Sequence, residues 1–180
     1  MKIALCGDSQ GRNTIIEQYV GNQTPISLMG GQDLQASLKE SLIDGRAIKF
    51  QIWNFGDERR MEDIRSVYFL GTVGAVVVFD VLNVDSFEKM KNWIKHIWNH
   101  NEKGVIPTII LGHNIDLRNQ YPNAIQDEMV HRYCSELSKQ INDEGLNVKY
   151  FPITDLDAIY QAFDYLGRMY FQMLDRNKKV

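Results

Sequence analysis

The alternation of apolar and polar positions along the chain predicts strands and helices in turn. Short, nearly continuous apolar runs are typical of buried strands, and they lie at Lys2–Cys6, Val73–Phe79, Val105–Leu111 and Val148–Ile153. Longer segments with helical spacing or composition predict helices at Thr14–Val20, Met61–Leu70, Ser86–Asn99, Ala124–Ile141 and Asp157–Leu174. Residues 21–35 contain Gly and Pro and predict an irregular loop.

One strand pair is antiparallel in this pattern. Ala36–Ile43 and Ala47–Trp53 are alternating runs on either side of Asp44-Gly45, a dipeptide favoured in two-residue hairpin turns. We therefore predict an α/β fold with a mostly parallel six-stranded sheet, one antiparallel edge strand and helices on both faces. Ligands of such sheets lie at the carboxyl ends of the strands, here the loops after Cys6, Trp53, Leu111 and Ile153.

Length and composition narrow the class of protein. The 180 residues fit one domain, which we place at residues 1–175, followed by a polar tail at 176–180. The net charge of −3 gives no electrostatic support for a nucleic-acid partner. Cys6 and Cys134 indicate reduced thiols rather than a disulfide framework. No apolar run approaches the roughly 18 residues of a membrane span, and the tail has no cysteine for prenylation, so we expect an unanchored cytoplasmic protein.

The segment after the first strand has the length and position of a phosphate-binding loop. The usual pattern is Gly, four residues, then Gly-Lys-Ser/Thr. Gly7 and Thr14 keep the first and last positions of that pattern, but Arg12 replaces the second Gly and Asn13 replaces the Lys. Backbone N–H groups at a helix start can still attract an anion, whereas the positive charge for phosphate is missing from its usual position. A plain strand-to-helix turn is the alternative.

Further segments, read in order, resemble small GTPases of the Ras superfamily, and Rab proteins most. Ile43–Asn54 resembles their interswitch hairpin, and Val76–Val81 with Asp85–Glu88 resembles their fourth strand and third helix. Leu111–Leu117 falls at the guanine motif Asn-Lys-x-Asp-Leu, and Tyr150–Leu156 falls at the Ser-Ala-Lys motif. The resemblance implies the P-loop small-GTPase fold over about residues 1–172.

The resemblance also implies sites. GTP or GDP with Mg²⁺ would be the cofactor, with Thr14 as the metal ligand. Nucleotide contacts would come from Gly7, Gly11, Arg12, Asn13, Thr14, Ile15, Asn114, Asp116, Thr154 and Asp155. Rab proteins present an aromatic triad to effectors, of which Trp53 and Tyr68 match two members, and we expect Phe55 to be exposed beside them. Other proteins would therefore bind through the switch and interswitch face.

Several departures from the family pattern weaken this cofactor set. Asn54 replaces the acidic residue that orients Mg²⁺ through water, and no hydroxyl lies near Gly31, where the switch-one Thr belongs. Asp57 or Glu58, depending on the alignment, replaces the Gln that positions the attacking water. Losing three charged hydrogen bonds, at roughly 1.5–3 kcal/mol each, removes about four decades of affinity.

Two functional hypotheses follow. The first is a Rab-like pseudo-GTPase that acts as a protein-interaction module, with weak or absent GTP binding, little hydrolysis and no catalytic residue. The second is a divergent switch that binds GTP and GDP and hydrolyses slowly, using Arg12, Thr14 and Asp116 as an alternative set of ligands.

Overall fold

The computed structural model describes residues 1–21, 23–28, 34–56, 62–141 and 148–177, with the side chains of residues 62–65 and 140 left out. Its architecture is a seven-stranded sheet of order β2-β3-β4-β1-β5-β6-β7. The strands are β1 Lys2–Gly7, β2 Ile26–Ser27, β3 Leu34–Ile43, β4 Arg46–Phe55, β5 Gly74–Asp80, β6 Thr108–His113 and β7 Val148–Pro152.

The described residues form five α-helices, of which four lie between strands and the last follows β7. They are α1 Ser9–Ile15, α2 Glu62–Phe69, α3 Val84–His100, α4 Asp127–Gln140 and α5 Leu156–Asn177. A π-helical turn, Ile16–Val20, continues α1, and a 3-10 helix, Ile115–Gln120, follows β6. Helix α5 extends two residues past the boundary predicted at residue 175.

The sheet confirms the predicted fold class. β1 pairs in parallel with β4 and β5, and the parallel order continues through β6 and β7. β3 and β4 form the predicted antiparallel hairpin, whose turn places Asp44 at φ 50° and Gly45 at φ 77°. The sequence analysis does not predict β2, which adds two residues antiparallel to β3.

Each face of the sheet carries its own hydrophobic core. On one face, α1, the π-helical turn and α5 bury Ile15, Tyr19 and Phe163 against the strands, with the ring centroids of Tyr19 and Phe163 stacked 4.0 Å apart. On the other face, α2, α3 and α4 cover the apolar side chains of the sheet. Because helices cover both faces, the carboxyl ends of the parallel strands remain as the place for a site.

The outer edge of β7 is partly closed. The N–H of Val148 donates to the Ser138 hydroxyl at 3.2 Å rather than to a strand. The N–H of Ile153 points inward to Gly112 O at 2.8 Å. In this alternation the backbone N–H groups of Val148 and Tyr150 point away from β6, and Pro152 has no N–H to offer.

Candidate functional site

A groove of about 500 Å³ lies at the carboxyl ends of β1, β6 and β7. It brings together several side chains that the sequence places at the nucleotide motifs. Its lining comprises Gln10, Thr14, Gln18, His113, Asn114, Asp116, Ile153, Thr154, Asp155 and Leu156. Three of the four loops predicted to hold ligands, those after β1, β6 and β7, therefore line this groove.

The segment after β1 is a helix rather than an open loop. Helix α1 begins at Ser9, five residues before the predicted Thr14, and Asp8 is its N-cap. Asp8 Oδ1 accepts the Gly11 N–H at 3.0 Å, and Asp8 O accepts the Arg12 N–H at 3.0 Å. Asp is among the favoured N-cap residues. A carboxylate of the chain itself thus lies at the helix start, where an anion is favoured.

His113, the last residue of β6, is hydrogen-bonded to this capping carboxylate. Its Nε2 lies 2.8 Å from Asp8 Oδ1, and the residue is only 6% exposed. Burial alone would raise the pKa of Asp8, but the hydrogen bonds from His113 and the Gly11 N–H outweigh it and lower that pKa below its ordinary value. His113 therefore connects the β1 and β6 ends of the site.

Gly7 and Gly11 are explained by contacts within the chain. Gly7 has φ 104°, and a Cβ there would lie 2.0 Å from Val78 O. A Cβ at Gly11 would lie 2.6 Å from Val78 Cγ1 and 2.7 Å from His113 Cδ2. The sequence predicts nucleotide contact for both glycines. In the structure, Gly7 allows the end of β1 to lie close to β5, and Gly11 allows α1 to lie close to β5 and β6.

Arg12 points into the protein, not towards the groove. It is 5% exposed, and its Nε donates to Gly7 O at 3.0 Å while Nη1 donates to Asn54 Oδ1. The guanidinium thus lies between the ends of β1 and β4. The prediction that Arg12 supplies charge to a phosphate does not match this orientation.

The next three residues also differ from a phosphate-binding arrangement. Asn13 is exposed, and Ile15 is buried in the core with no exposed surface. The Thr14 hydroxyl donates to Gln10 O at 3.1 Å, one turn back along the helix. The residue predicted to bind Mg²⁺ therefore uses its hydroxyl within α1.

The far wall of the groove is acidic and polar. Asn114 adopts the left-handed conformation with φ 62°, and Asp116 and Thr154 are exposed. Asp155 Oδ1 accepts the Ala158 N–H at 2.8 Å, so this predicted nucleotide contact caps α5. Carboxylate and carbonyl oxygens suit ligands that carry N–H donors, such as the edge of a guanine base.

A nucleotide with Mg²⁺ does not fit the phosphate end of the site. A carboxylate occupies the helix start, and the Thr14 hydroxyl and the Asn54 amide oxygen are both engaged within the chain. Among the residues that the structure describes, no three His, Cys, Asp or Glu side chains cluster in a way that could hold a metal ion. The predictions for Gly31, Asp57 and Glu58 lie outside the described residues.

The predicted effector face has two of its three members at the surface. Trp53 and Tyr68 are half-buried, with ring centroids 5.9 Å apart. Phe55 is a correction: it is 1% exposed and stacks on Phe69 at 4.4 Å. The Lys2 ammonium lies over the ring face of Trp53, 3.8 Å from the ring centroid.

Three residues of these sites were missed by sequence reasoning. Lys2 donates to Tyr68 O at 2.6 Å and Leu70 O at 2.7 Å, so it caps the end of α2. A lysine opening an apolar strand was the available signal. Asp8 could have been found as an N-cap residue before a helix. The partnership of His113 with Asp8 had no local signal, because it joins distant segments.

Comparison with known proteins assigns the family. A sequence model of the Ras family matches residues 2–158. The chain is 26% identical to the Ras-related protein YPTC6 of Chlamydomonas reinhardtii, over 74% of this chain and 61% of that protein. It is 28% identical to the Ras-related protein RIC2 of Oryza sativa subsp. japonica, over 65% and 54%, and 25% identical to RABA1e of Arabidopsis thaliana, over 97% and 76%.

The chain spans about three fifths of the length of the first of these relatives. Proteins of this family generally bind GTP or GDP with Mg²⁺ and engage effector proteins. Within the described ranges, no helix combines the length and hydrophobicity needed to cross a bilayer. Over its matched length, the chain belongs to the Ras family and is a Rab-like small GTPase in sequence and fold.

Proposed function

We propose that the protein is a Rab-like interaction module that binds guanine nucleotide weakly or not at all and hydrolyses little GTP. The observation that carries this proposal is the Asp8 carboxylate at the start of α1, held by the Gly11 N–H and by His113. A phosphate entering this position would have to displace that carboxylate or be repelled by it. The chain itself already fills the anion position.

The missing cation supports the same proposal. P-loop NTPases use a loop Lys to cradle the phosphates and a loop Ser or Thr to hold Mg²⁺. Here the Lys position is the uncharged, exposed Asn13, and the Thr14 hydroxyl is bonded to Gln10 O. Neither group is arranged to neutralise a polyphosphate.

We propose that the protein binds its partners through the face formed by Trp53 and Tyr68. The Lys2 ammonium lies over the Trp53 ring and donates to the Tyr68 backbone carbonyl, so it joins the two elements that carry these aromatic residues. Trp and Tyr are enriched among residues that dominate binding energy at interfaces. The Lys2 contacts tie this face to β1. We propose that the face forms without nucleotide and binds other proteins, not nucleic acid, in the cytoplasm.

The first experiment measures bound nucleotide. Protein purified without chelators is denatured, and the released nucleotides are separated by chromatography. We expect far less than one guanine nucleotide per chain and no saturable binding of a fluorescent GDP analogue. Stoichiometric GDP in the purified protein would contradict the proposal.

A second experiment tests the interaction face. Proteins recovered with the wild type are compared quantitatively with those recovered by Trp53→Ala and Tyr68→Ala. Tyr121→Ala is the matched control, because Tyr121 is a 50% exposed aromatic residue outside this face. We expect the first two variants to lose partners that the control retains. Equal recovery by all variants would remove this face from the proposal.

One observation favours a second candidate, the slow switch. The groove of about 500 Å³ keeps Asn114, Asp116 and Thr154 on one wall, where a guanine base would bind. In a switch, GTP and GDP stabilise different conformations. Hydrogen exchange in α2 that differs between saturating GTP and GDP would favour this candidate, and identical exchange would eliminate it.

A further inference from the structure

The Arg12 side chain makes a bridge at the carboxyl ends of two central strands. We call Arg12, Gly7 O and Asn54 Oδ1, joined by the two guanidinium hydrogen bonds, the Arg12 bridge. Gly7 ends β1, and Asn54 lies in β4, where it is the parallel partner of Leu5. The guanidinium therefore links the carboxyl ends of two adjacent central strands, and it does so while 95% buried.

The position of this bridge conflicts with a metal site. In P-loop NTPases, Mg²⁺ is held by the loop Ser or Thr and by an Asp from the neighbouring strand. The counterparts in this chain are Thr14 and Asn54, and both are hydrogen-bonded within the protein. Arg12 also remains charged at any working pH, so it repels a dication placed near it.

We infer that the Arg12 guanidinium takes the place of the divalent cation and closes the phosphate end of the site. This inference rests on the proposed function and extends it. The guanidinium joins the ends of β1 and β4, so we expect the fold to need neither Mg²⁺ nor nucleotide. Restoring the loop Lys alone then leaves the site closed. A phosphate paired with that Lys can displace the Asp8 carboxylate from the helix start, whereas Arg12 is buried and bonded to both strand ends and stays in place.

The test compares four proteins by thermal melting with GDP and Mg²⁺. They are the wild type, Asn13→Lys, Arg12→Ala/Asn13→Lys and the matched control Arg132→Ala/Asn13→Lys, in which an exposed helical arginine is removed. We expect a rise in Tm only for Arg12→Ala/Asn13→Lys. At a ligand concentration about 100 times Kd, that rise is roughly 5–10 °C.

The outcomes separate this inference from the proposed function. A nucleotide-dependent Tm in the wild type would overturn the proposed function. A rise for Asn13→Lys equal to that of the double variant would overturn the Arg12 bridge alone, as would a folded double variant with no rise.

Asn54→Asp provides an independent measurement, should the double variant fail to fold. The new carboxylate would pair with Arg12, so we expect the Tm of Asn54→Asp to be the same in Mg²⁺ and in EDTA. A Mg²⁺-dependent rise in that Tm would show a metal-competent position and overturn the inference.

Discussion

Asp8 Oδ1 and His113 Nε2 lie 2.8 Å apart although their residues are 105 positions apart in the chain. The contact joins the N-cap of α1 to the end of β6, and Gly11 packs against the His113 ring beside it. The pair formed by Asp8 and His113 thus holds the start of α1 against the end of β6, beside the groove.

The depressed pKa of Asp8 predicts a contribution to acid stability. Because that pKa is lower in the folded protein than in the unfolded chain, the ionised carboxylate stabilises the fold above its unfolded pKa of about 3.9. This contribution is lost as the pH falls through the folded pKa. Asp8→Asn should therefore be less stable than the wild type near neutral pH, and the difference should shrink below about pH 4.

Urea denaturation between pH 7 and pH 3 measures this difference. Asn is also a good N-cap residue, so Asp8→Asn removes the charge while keeping the cap. Asp157→Asn, which changes an exposed carboxylate near the start of α5, is the control. A constant difference between the wild type and Asp8→Asn over the whole range would contradict the prediction.

Gly11→Ala should destabilise the protein although it places Ala in a helix. Helix propensity favours Ala over Gly by about 1 kcal/mol, but overpacking a buried position costs about 1–3 kcal/mol. The new Cβ would meet Val78 Cγ1 and the rigid ring of His113, so we expect a net loss of about 1 kcal/mol in the free energy of unfolding. Urea denaturation measures it.

Gly167→Ala is the comparison for this prediction. A Cβ at Gly167 would lie 2.3 Å from Ile43 Cδ1, the flexible end of a side chain, and no closer than 3.4 Å to other atoms. We expect a smaller loss for Gly167→Ala than for Gly11→Ala. A Gly11→Ala protein that is more stable than the wild type would contradict the close packing of α1 against His113.

Lys2→Met should loosen the end of α2. The ammonium of Lys2 binds the carbonyls of Tyr68 and Leu70 and covers Trp53, whereas Met keeps only the apolar stem. Removing these charged hydrogen bonds should cost about 1–2 kcal/mol. Hydrogen exchange of the backbone amides of Tyr68 to Leu70 should become faster.

Lys49→Met is the matched control for this effect. Lys49 pairs with Glu40 on the exposed surface, at 2.7 Å, so its replacement should leave both stability and α2 exchange nearly unchanged. Equal effects of the two substitutions would refute the capping role of Lys2.

The native thiols should be unreactive. Burial raises the pKa of Cys134 to about 12, and Cys6 has no exposed surface. The thiolate is the reactive form, so little of it is present at pH 8. Ellman's reagent should modify both thiols quickly in denaturant and neither quickly in the native protein, and rapid native modification would contradict the burial of Cys134.

Repeating apolar patterns made most of the fold predictable. β5 is a run of apolar residues with both faces covered, and the β3–β4 hairpin turns at Asp44-Gly45 as expected. β2 could not be predicted, because two residues are too few to show an alternation and its pairing with β3 is tertiary.

The motifs indicate which segments line the groove, but not the conformation of their side chains. Motif spacing located the groove that contains Asn114 and Asp116, yet it could not show that Arg12 turns inward to Asn54, a contact across 42 residues. Phe55 shares the strand face of Trp53, as the period of two requires. It is buried because Phe69 of α2 covers that end of the strand, which only tertiary packing reveals.

The edge of β7 has a consequence for self-association. An incoming strand could pair with the Tyr150 N–H, but it would find the Val148 N–H already bonded to Ser138 and no donor at Pro152. Sheet edges blunted in this way resist the strand-by-strand growth that leads to aggregates. This margin of the sheet therefore resists strand pairing with a second copy of the chain.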